Sequence, residues 1–276
     1  MKIILRKRDS VVSIVLFIYN IFSEHTGSKS LKLNHLIEFM KYFDKSETAV
    51  RMGLSRSVKS GILINRKIGN EVYYDLTQLG IDNIKLWNKG VFKFFQRYAL
   101  RNNSSWNNKW YLLALQNFSK SADESQVLRD ELMELGMLEV IKDLWVSPYE
   151  MTNFVNELVT DKYDYLNFAG EFDLNDTDKI VNTVFNIESV RNEYLKFIAL
   201  AKGIKENLTK VQSPGDYLPL LFELGWNFFD IATSDPALPR DLLADWPGDE
   251  AVQLMGDLRS LLYGNITKYF DEIASD

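Results

Sequence analysis

The sequence predicts an α+β multidomain chain: an amino-terminal winged helix-turn-helix, a middle ferredoxin-like α+β domain and a mainly helical carboxy-terminal domain. Three observations carry this expectation. Three capped helical patterns run into a hairpin signature within the first 76 residues. Strand and helix patterns then alternate across residues 101–172. From residue 173 onward the periodicity is helical, and all six prolines lie at or after Pro148. The expected domains are residues 1–100, 101–172 and 173–276.

The first helix is expected over residues 10–24, capped by Asp9 or Ser10. Its apolar run from Val11 to Phe22, preceded by Lys2, Arg6, Lys7 and Arg8, imitates a signal peptide. The run contains Asn20, lacks a small-residue cleavage pattern and falls short of the roughly 20 residues that span a bilayer, so a buried helix is the reading. A short KSLKL stretch leads to a second helix, Asn34 to Phe43, with Asn34 as its cap, and Ser46 caps a third helix ending near Ser60. In ILINRKIGNEVYYDLT apolar and polar residues alternate on both sides of Gly69-Asn70, a pair that tolerates the positive φ of a tight turn. Ile62, Ile64, Val72 and Tyr74 are expected to share a face. A longer helix, Asn83 to Ala99, closes the domain.

In the middle domain KWYLLALQNF reads as a buried strand, SQVLRDELMELG as a helix ended by Gly136, and MLEVIKDLWVSP as a strand stopped by Pro148. YEMTNFVNELVT reads as a helix and YDYLNFAGEF as a further strand, giving the βαββαβ layout as the expected arrangement. Beyond it, Asp176 or Thr177 is expected to start a helix running to Asn207. SPGDYLPLLFELGWNFF opens another, DPALPRDLLADWPGDE is a proline-set connector, and the last helix runs from Glu250.

Composition narrows the chemistry. The chain has 276 residues, no cysteine and two histidines, His25 and His35, which removes thiolate chemistry, disulfides and multi-histidine metal sites. A cytoplasmic protein with no cofactor, no metal and no membrane partner is expected. The net charge of -6 conceals a segregation: residues 1–110 carry 19 Lys and Arg against 8 Asp and Glu, while the remainder carries 13 against 30. A basic head on an acidic body fits a nucleic-acid reader with a separate sensing or dimerising part.

The stretch TAVRMGLSRSVKSGIL, residues 48–63, concentrates that positive charge. At 100° per residue Val50, Leu54, Ser57 and Val58 fall on the packed side of the third helix, and Thr48, Met52, Ser55, Arg56 and Lys59 face outward, with Arg51 on the flank. Such a face suits a DNA major groove: arginine reads guanine with two hydrogen bonds, serine and threonine reach bases or phosphates, and methionine touches a thymine methyl. Arg51 is better placed for phosphate. The wing, with Arg66, Lys67 and Asn70 at its tip, lies where it can touch the backbone or minor groove. On this reading a fragment ending near residue 100 keeps the basic surface and binds DNA weakly.

These segments resemble the PaaX-type transcriptional regulators, a family that includes the repressor of phenylacetate degradation. TAVRMGLSRSVKSGIL followed by NEVYYDLTQLG is similar to the family's winged-helix segment. WNNKWYLLALQNFSKSADESQVLRDELMELGMLEVIKDLWVSP is similar to its middle domain, and DPALPRDLLADWPGDEA to its carboxy-terminal signature. The resemblance implies that Arg51, Ser55 and Arg56, with the wing around Lys67 to Asn70, read double-stranded DNA. It further implies a homodimer on a palindromic operator, acting as a repressor and released by an aromatic acyl-CoA thioester or an aromatic acid. The wing RKIGNEV is less arginine-rich than the family pattern. A CoA polyphosphate would need a local cationic pocket in the acidic body, from among Arg191, Lys196, Lys202, Lys205, Lys210 and Arg240.

Other constellations weigh less. The carboxy-terminal aromatics Tyr217, Phe222, Trp226, Phe228, Phe229 and Trp246 read first as core, and Arg191, Tyr217, Trp226, Arg240 and Trp246 form the candidate effector set. DLNDTDK at 173–179 lacks the glycine and final carboxylate of a calcium loop and reads as a helix start where Asp176, Thr177 and Asp178 cap and favour the dipole. The middle domain is similar in fold to a CRISPR-adaptation endonuclease, which raises a metal-dependent nuclease as the alternative. That chemistry needs an aspartate at the end of the first strand, where Gln116 stands, and no catalytic residue is assigned. A protein-interaction module built on a winged helix is the other alternative.

Overall fold

The computed structural model describes residues 7–103, 105–116, 122–159 and 164–274. Lys2 and Arg6, the end of the first middle-domain strand at Asn117 and Phe118, and the boundary expected at Thr160 to Tyr163 lie outside the described residues. The chain divides into two compact units. One holds Met1–Lys89, Phe197–Phe229 and Glu250–Asp276, and the other Gly90–Lys196 and Asp230–Asp249.

In the first unit α1 (Val11–Thr26) is capped by Ser10, whose hydroxyl accepts from the Ser13 amide, and ends at Gly27 in the left-handed conformation. Its face of Ile14, Val15, Ile18, Tyr19 and Phe22 is buried. Tyr19 donates its hydroxyl to the Tyr74 carbonyl at 2.6 Å, tying α1 to the wing. The KSLKL stretch contributes a strand, β1 (Ser30–Lys32), and α2 (Leu33–Lys41) follows at once. Its cap is therefore Lys32, without a side-chain bond, and not Asn34: the chain is still extended at Lys32 because β1 pairs with the wing. A turn with Asp44 at φ 55° separates α2 from α3 (Glu47–Lys59), which Ser46 caps as the sequence predicts.

The wing is β2 (Leu63–Ile68) and β3 (Glu71–Leu76), joined by Gly69-Asn70 with Gly69 at φ 59°. With β1 it forms an antiparallel sheet in the order β1-β3-β2. The expected face of Ile62, Ile64, Val72 and Tyr74 does not form. A two-residue turn pairs Ile68 with Glu71, so Ile64 opposes Asp75 and Tyr74 opposes Asn65, and even positions of β2 share a face with odd positions of β3. Helix α4 (Gln78–Asn103) begins five residues before the expected Asn83 and contributes to both units.

Three carboxy-terminal segments complete the first unit's core. They are the second half of α8 (Ile187–Asn207), most of α9 (Tyr217–Ser234) and most of α10 (Gly248–Ala274). Phe222 meets Phe17 and Phe43 edge-on, and Phe270 meets Phe22 and Phe39 in the same way. Trp87 stacks on Phe229 with ring centroids 3.8 Å apart.

The second unit carries β4 (Trp110–Gln116), α5 (Ala122–Glu134), β5 (Leu138–Ile141), β6 (Leu144–Ser147), α6 (Thr152–Val159) and β7 (Asp164–Gly170). All neighbours are antiparallel in the order β5-β6-β4-β7, the ferredoxin-like arrangement. The single strand expected from MLEVIKDLWVSP is a hairpin, because Asp143 turns the chain at φ 63°. Leu113, Leu128, Leu132, Trp145 and Val155 form the core between sheet and helices. Arg129 bridges Glu139 of β5 and Asp143 of the turn itself.

After β7, α7 (Leu174–Lys179) is capped by Asp173, whose carboxylate accepts from the Asp176 amide, so the cap lies three residues before the expected Asp176. A single π-helical turn over Ile180–Val184 and Asn186 at φ 46° then separate α7 from α8, dividing the one long helix that was expected.

Candidate nucleic-acid interface

Helix α3 buries Val50, Gly53, Leu54 and Ser57, and leaves Val58 half-buried. Gly53 is what brings α3 close to α1: a Cβ at that position would lie 2.3 Å from Val11 Cγ1. One turn on, Ser57 donates its buried hydroxyl to the Gly53 carbonyl at 3.0 Å, which consumes the polar group without a tertiary partner.

On the opposite side Thr48, Arg51, Met52, Ser55, Arg56 and Lys59 are all exposed, and Met52, 51% accessible, is an apolar side chain set in a polar ridge. Their availability differs. Arg51 is held by Glu47 one turn earlier at 2.7 Å. Among the described residues the side chains of Arg56 and Lys59 have no hydrogen-bond or ion-pair partner. Two cations in the last turn also sit at the negative end of the helix dipole, where positive charge is favoured.

The wing divides its cations in the same way. Arg66 donates from Nε to Asp75 at 2.6 Å and from Nη2 to Ser30 at 3.0 Å, and its guanidinium lies 4.9 Å from the Tyr73 ring centroid. Partial burial pulls the Asp75 carboxyl up, but the hydrogen bonds from Arg66 and Ser30 outweigh it and hold Asp75 below its ordinary range. Arg66 therefore braces β1, β2 and β3 together. Lys67 and Asn70 are exposed near and at the tip, and Lys67 has no side-chain partner among the described residues.

The candidate effector residues fall in both units. Tyr217 and Trp226 belong to the first, where Trp226 packs on Trp87 and Phe222. Arg191, Arg240 and Trp246 belong to the second. Arg191 donates to the carbonyls of Asp245 and Ala244, with its guanidinium 5.5 Å from the Trp246 ring. Arg240 bonds Asn102 and pairs with Asp249 at 2.7 Å.

Sequence reasoning missed the centre of this second group. Arg101 and Asp235 form an ion pair at 2.7 Å with both side chains fully buried, and Tyr194 donates to the other Asp235 oxygen at 2.5 Å. Burial lowers the Arg101 guanidinium, but Asp235 more than offsets this and leaves it above its ordinary value. Burial, and then Asp235, push the Tyr194 hydroxyl far upward. The available signal was the pair Arg97 and Arg101, one turn apart on an otherwise aromatic stretch of α4.

Among the described residues no three His, Asp or Glu side chains converge to hold a metal ion, which leaves the nuclease alternative without support. Among them, too, no helix is long and apolar enough to cross a membrane.

Comparison with known families gives three matches in chain order. "PaaX-like protein" covers residues 10–80, "PaaX protein central Cas2-like domain" residues 103–173, and "PaaX-like protein C-terminal domain" residues 185–272. No curated protein sequence matches the chain. Among solved structures, the uncharacterized protein Rv0674 from Mycobacterium tuberculosis is similar at a TM-score of 0.61 and 14% identity, over 95% of this chain and 99% of that one, a likeness of fold.

Proposed function

This chain belongs to the PaaX-like family and is a transcriptional regulator, and we propose that it is a repressor whose helix α3 reads operator DNA through the major groove. Family membership places it among regulators and not enzymes. The observation that carries the finer reading is the exposed ridge of Thr48, Met52, Ser55, Arg56 and Lys59, with Arg56 and Lys59 unengaged among the described residues. A guanidinium with no internal partner gives up no ion pair when it reaches a base edge. Arg56 is thus the proposed base reader, Lys59 and Lys67 phosphate contacts, and Arg51 a phosphate contact that must first leave Glu47. Arg66 is assigned to bracing the wing, and Asn70 to backbone contact at its tip.

In this reading two copies bind a palindromic operator, and an aromatic acyl-CoA thioester or aromatic acid releases them. Release is linkage: an effector that prefers the conformation unable to bind DNA lowers operator affinity, and a tenfold loss needs a coupling of about 1.4 kcal/mol. The test is Arg56→Ala. Operator binding should weaken by about 1–3 kcal/mol, with preference relaxed at one base pair per half-site. An equal loss on operator and random duplexes would move Arg56 from base reading to phosphate contact and refute this assignment.

A further inference from the structure

The second unit contains buried hydrogen-bond donors that its own acceptors leave unmatched. Arg97 and Arg101 are 8% and 1% accessible; Arg101 donates to the carboxylate of Asp235, itself 1% accessible, and Arg97 only to the main-chain carbonyl of that residue. Asp235 is fully engaged: Oδ1 accepts from Arg101 Nη2 and from the Ala237 amide, each at 2.7 Å, and Oδ2 accepts from Tyr194. Among the described residues Arg97 donates only to main-chain carbonyls, those of Glu134, Ala232 and Asp235. Its guanidinium charge has no hydrogen-bonded carboxylate, and burial lowers its pKa accordingly.

Five buried side-chain N–H groups have no partner among the described residues; two are the indoles of Trp110 and Trp145, and the other three are Arg97 Nε, Arg101 Nη1 and Trp246 Nε1. These three belong to one cluster, since the two arginines are one turn apart and the Arg101 guanidinium lies 5.2 Å from the Trp246 ring. A buried donor without an acceptor is costly, and an unbalanced buried charge more so. The imbalance has a sign, because donors exceed acceptors and positive charge exceeds negative. Trp246 and Arg191, on the outer side of the cluster, are only half-buried, which gives a small ligand an approach from solvent.

We propose that Arg97, Arg101 and Trp246 form a binding site for an oxyanion, the carboxylate or phosphate group of a small ligand, lodged where the connector Asp230–Asp249 meets α4. The site rests on the reading of this protein as an effector-responsive regulator and names the chemical group an effector presents. Oxyanion lone pairs match the three N–H groups, and its charge balances Arg97. The connector closes around it through Asp235, Leu238 and Trp246, so occupancy tightens the packing of connector against helix within this unit.

The test titrates the full-length protein with sodium phosphate and, separately, sodium acetate, against sodium chloride at matched ionic strength, following Tm and tryptophan fluorescence. One of the two oxyanions should raise Tm saturably above the chloride control, phosphate indicating a phosphate-bearing ligand and acetate a carboxylate-bearing one. Trp246→Phe, which keeps an aromatic ring but removes the indole N–H together with part of the bicycle, should weaken the response about tenfold, the loss of a single charge-assisted hydrogen bond. Arg97→Gln should abolish it, and Lys268→Gln, at an exposed position in the other unit, should leave it unchanged. Should Arg97→Gln fail to fold, Trp246→Phe carries the test alone. Oxyanion curves that coincide with chloride, or a response that Trp246→Phe retains in full, overturn the site. Operator binding by the same preparations separates the outcomes: intact binding with no oxyanion response removes this site alone, whereas absent binding removes the regulator reading.

Discussion

Phe39, in the helix that precedes α3, packs edge-to-face on Phe270, 231 positions further along the chain, with ring centroids 5.3 Å apart at 62°. Both rings are fully buried. The amino-terminal head therefore shares its core with the last helix, and an isolated head would expose an aromatic face. Phe270→Ala should cost about 3–5 kcal/mol by removing a buried ring and leaving a cavity. A fragment ending near residue 100 should, for the same reason, fail to give the cooperative thermal transition and DNA binding expected of an autonomous head. Circular dichroism melts of the fragment and the variant decide this, and a fragment with a sharp transition would contradict it.

Gly53→Ala separates helix propensity from packing. In an open helix the exchange would stabilise by about 1 kcal/mol. Here the new Cβ would meet Val11 Cγ1 at 2.3 Å and Cβ at 2.5 Å, so α1 and α3 must move apart. Overpacking of this kind costs about 1–3 kcal/mol, and the variant should melt lower and, on the proposed function of α3, bind operator less tightly because that helix has shifted. A Tm equal to or above that of the parent would show that the contact relaxes freely.

Much of this architecture was legible locally. Ser10 and Ser46 cap helices where serine precedes an apolar period, and Gly69-Asn70 makes its turn because Gly69 accepts the positive φ that opens it. The errors came from pairing, which a sequence does not display. The faces of the wing depend on the turn length: two residues between Ile68 and Glu71 put Ile64 opposite Asp75, reversing the expected side. Asp173 displaced Asp176 as a cap because either carboxylate has the right chemistry, and only the chain path chooses between them. The ion pair of Arg101 with Asp235 joins positions 134 apart, and nothing near either residue announces the other. The outward face of α3 was readable because it follows from helical period alone.

The wing brace should be sensitive to acid. Asp75 titrates below its ordinary range in the folded protein, so its contribution is fully present above the unfolded value of about 3.9 and is lost as pH falls through the lower folded value. The stability difference between the parent and Asp75→Asn should therefore be constant near neutrality and shrink below about pH 4. Because the pair is partly exposed, high salt should reduce that difference too. Urea melts at several pH values test the sign, and a difference that grows toward acid would contradict the assignment.

Asp235→Leu should be among the most damaging single changes in the second unit. It removes the carboxylate that accepts from Arg101, Tyr194 and the Ala237 amide, and leaves two buried guanidinium groups with no counter-charge. Breaking a buried ion pair from one side costs about 3–5 kcal/mol. The amide lost to Ala237 matters as well, since Ala237 sits at φ 55°, a conformation an alanine holds only when its surroundings fix it. The double variant Arg101→Met with Asp235→Leu should be more stable than Asp235→Leu alone, because the second change withdraws one of the uncompensated charges. It should remain less stable than the parent, with Tyr194 and the Ala237 amide still deprived of their acceptor. Urea denaturation of the four proteins closes the cycle, and additive losses would mean that Arg101 and Asp235 are not coupled through their charges.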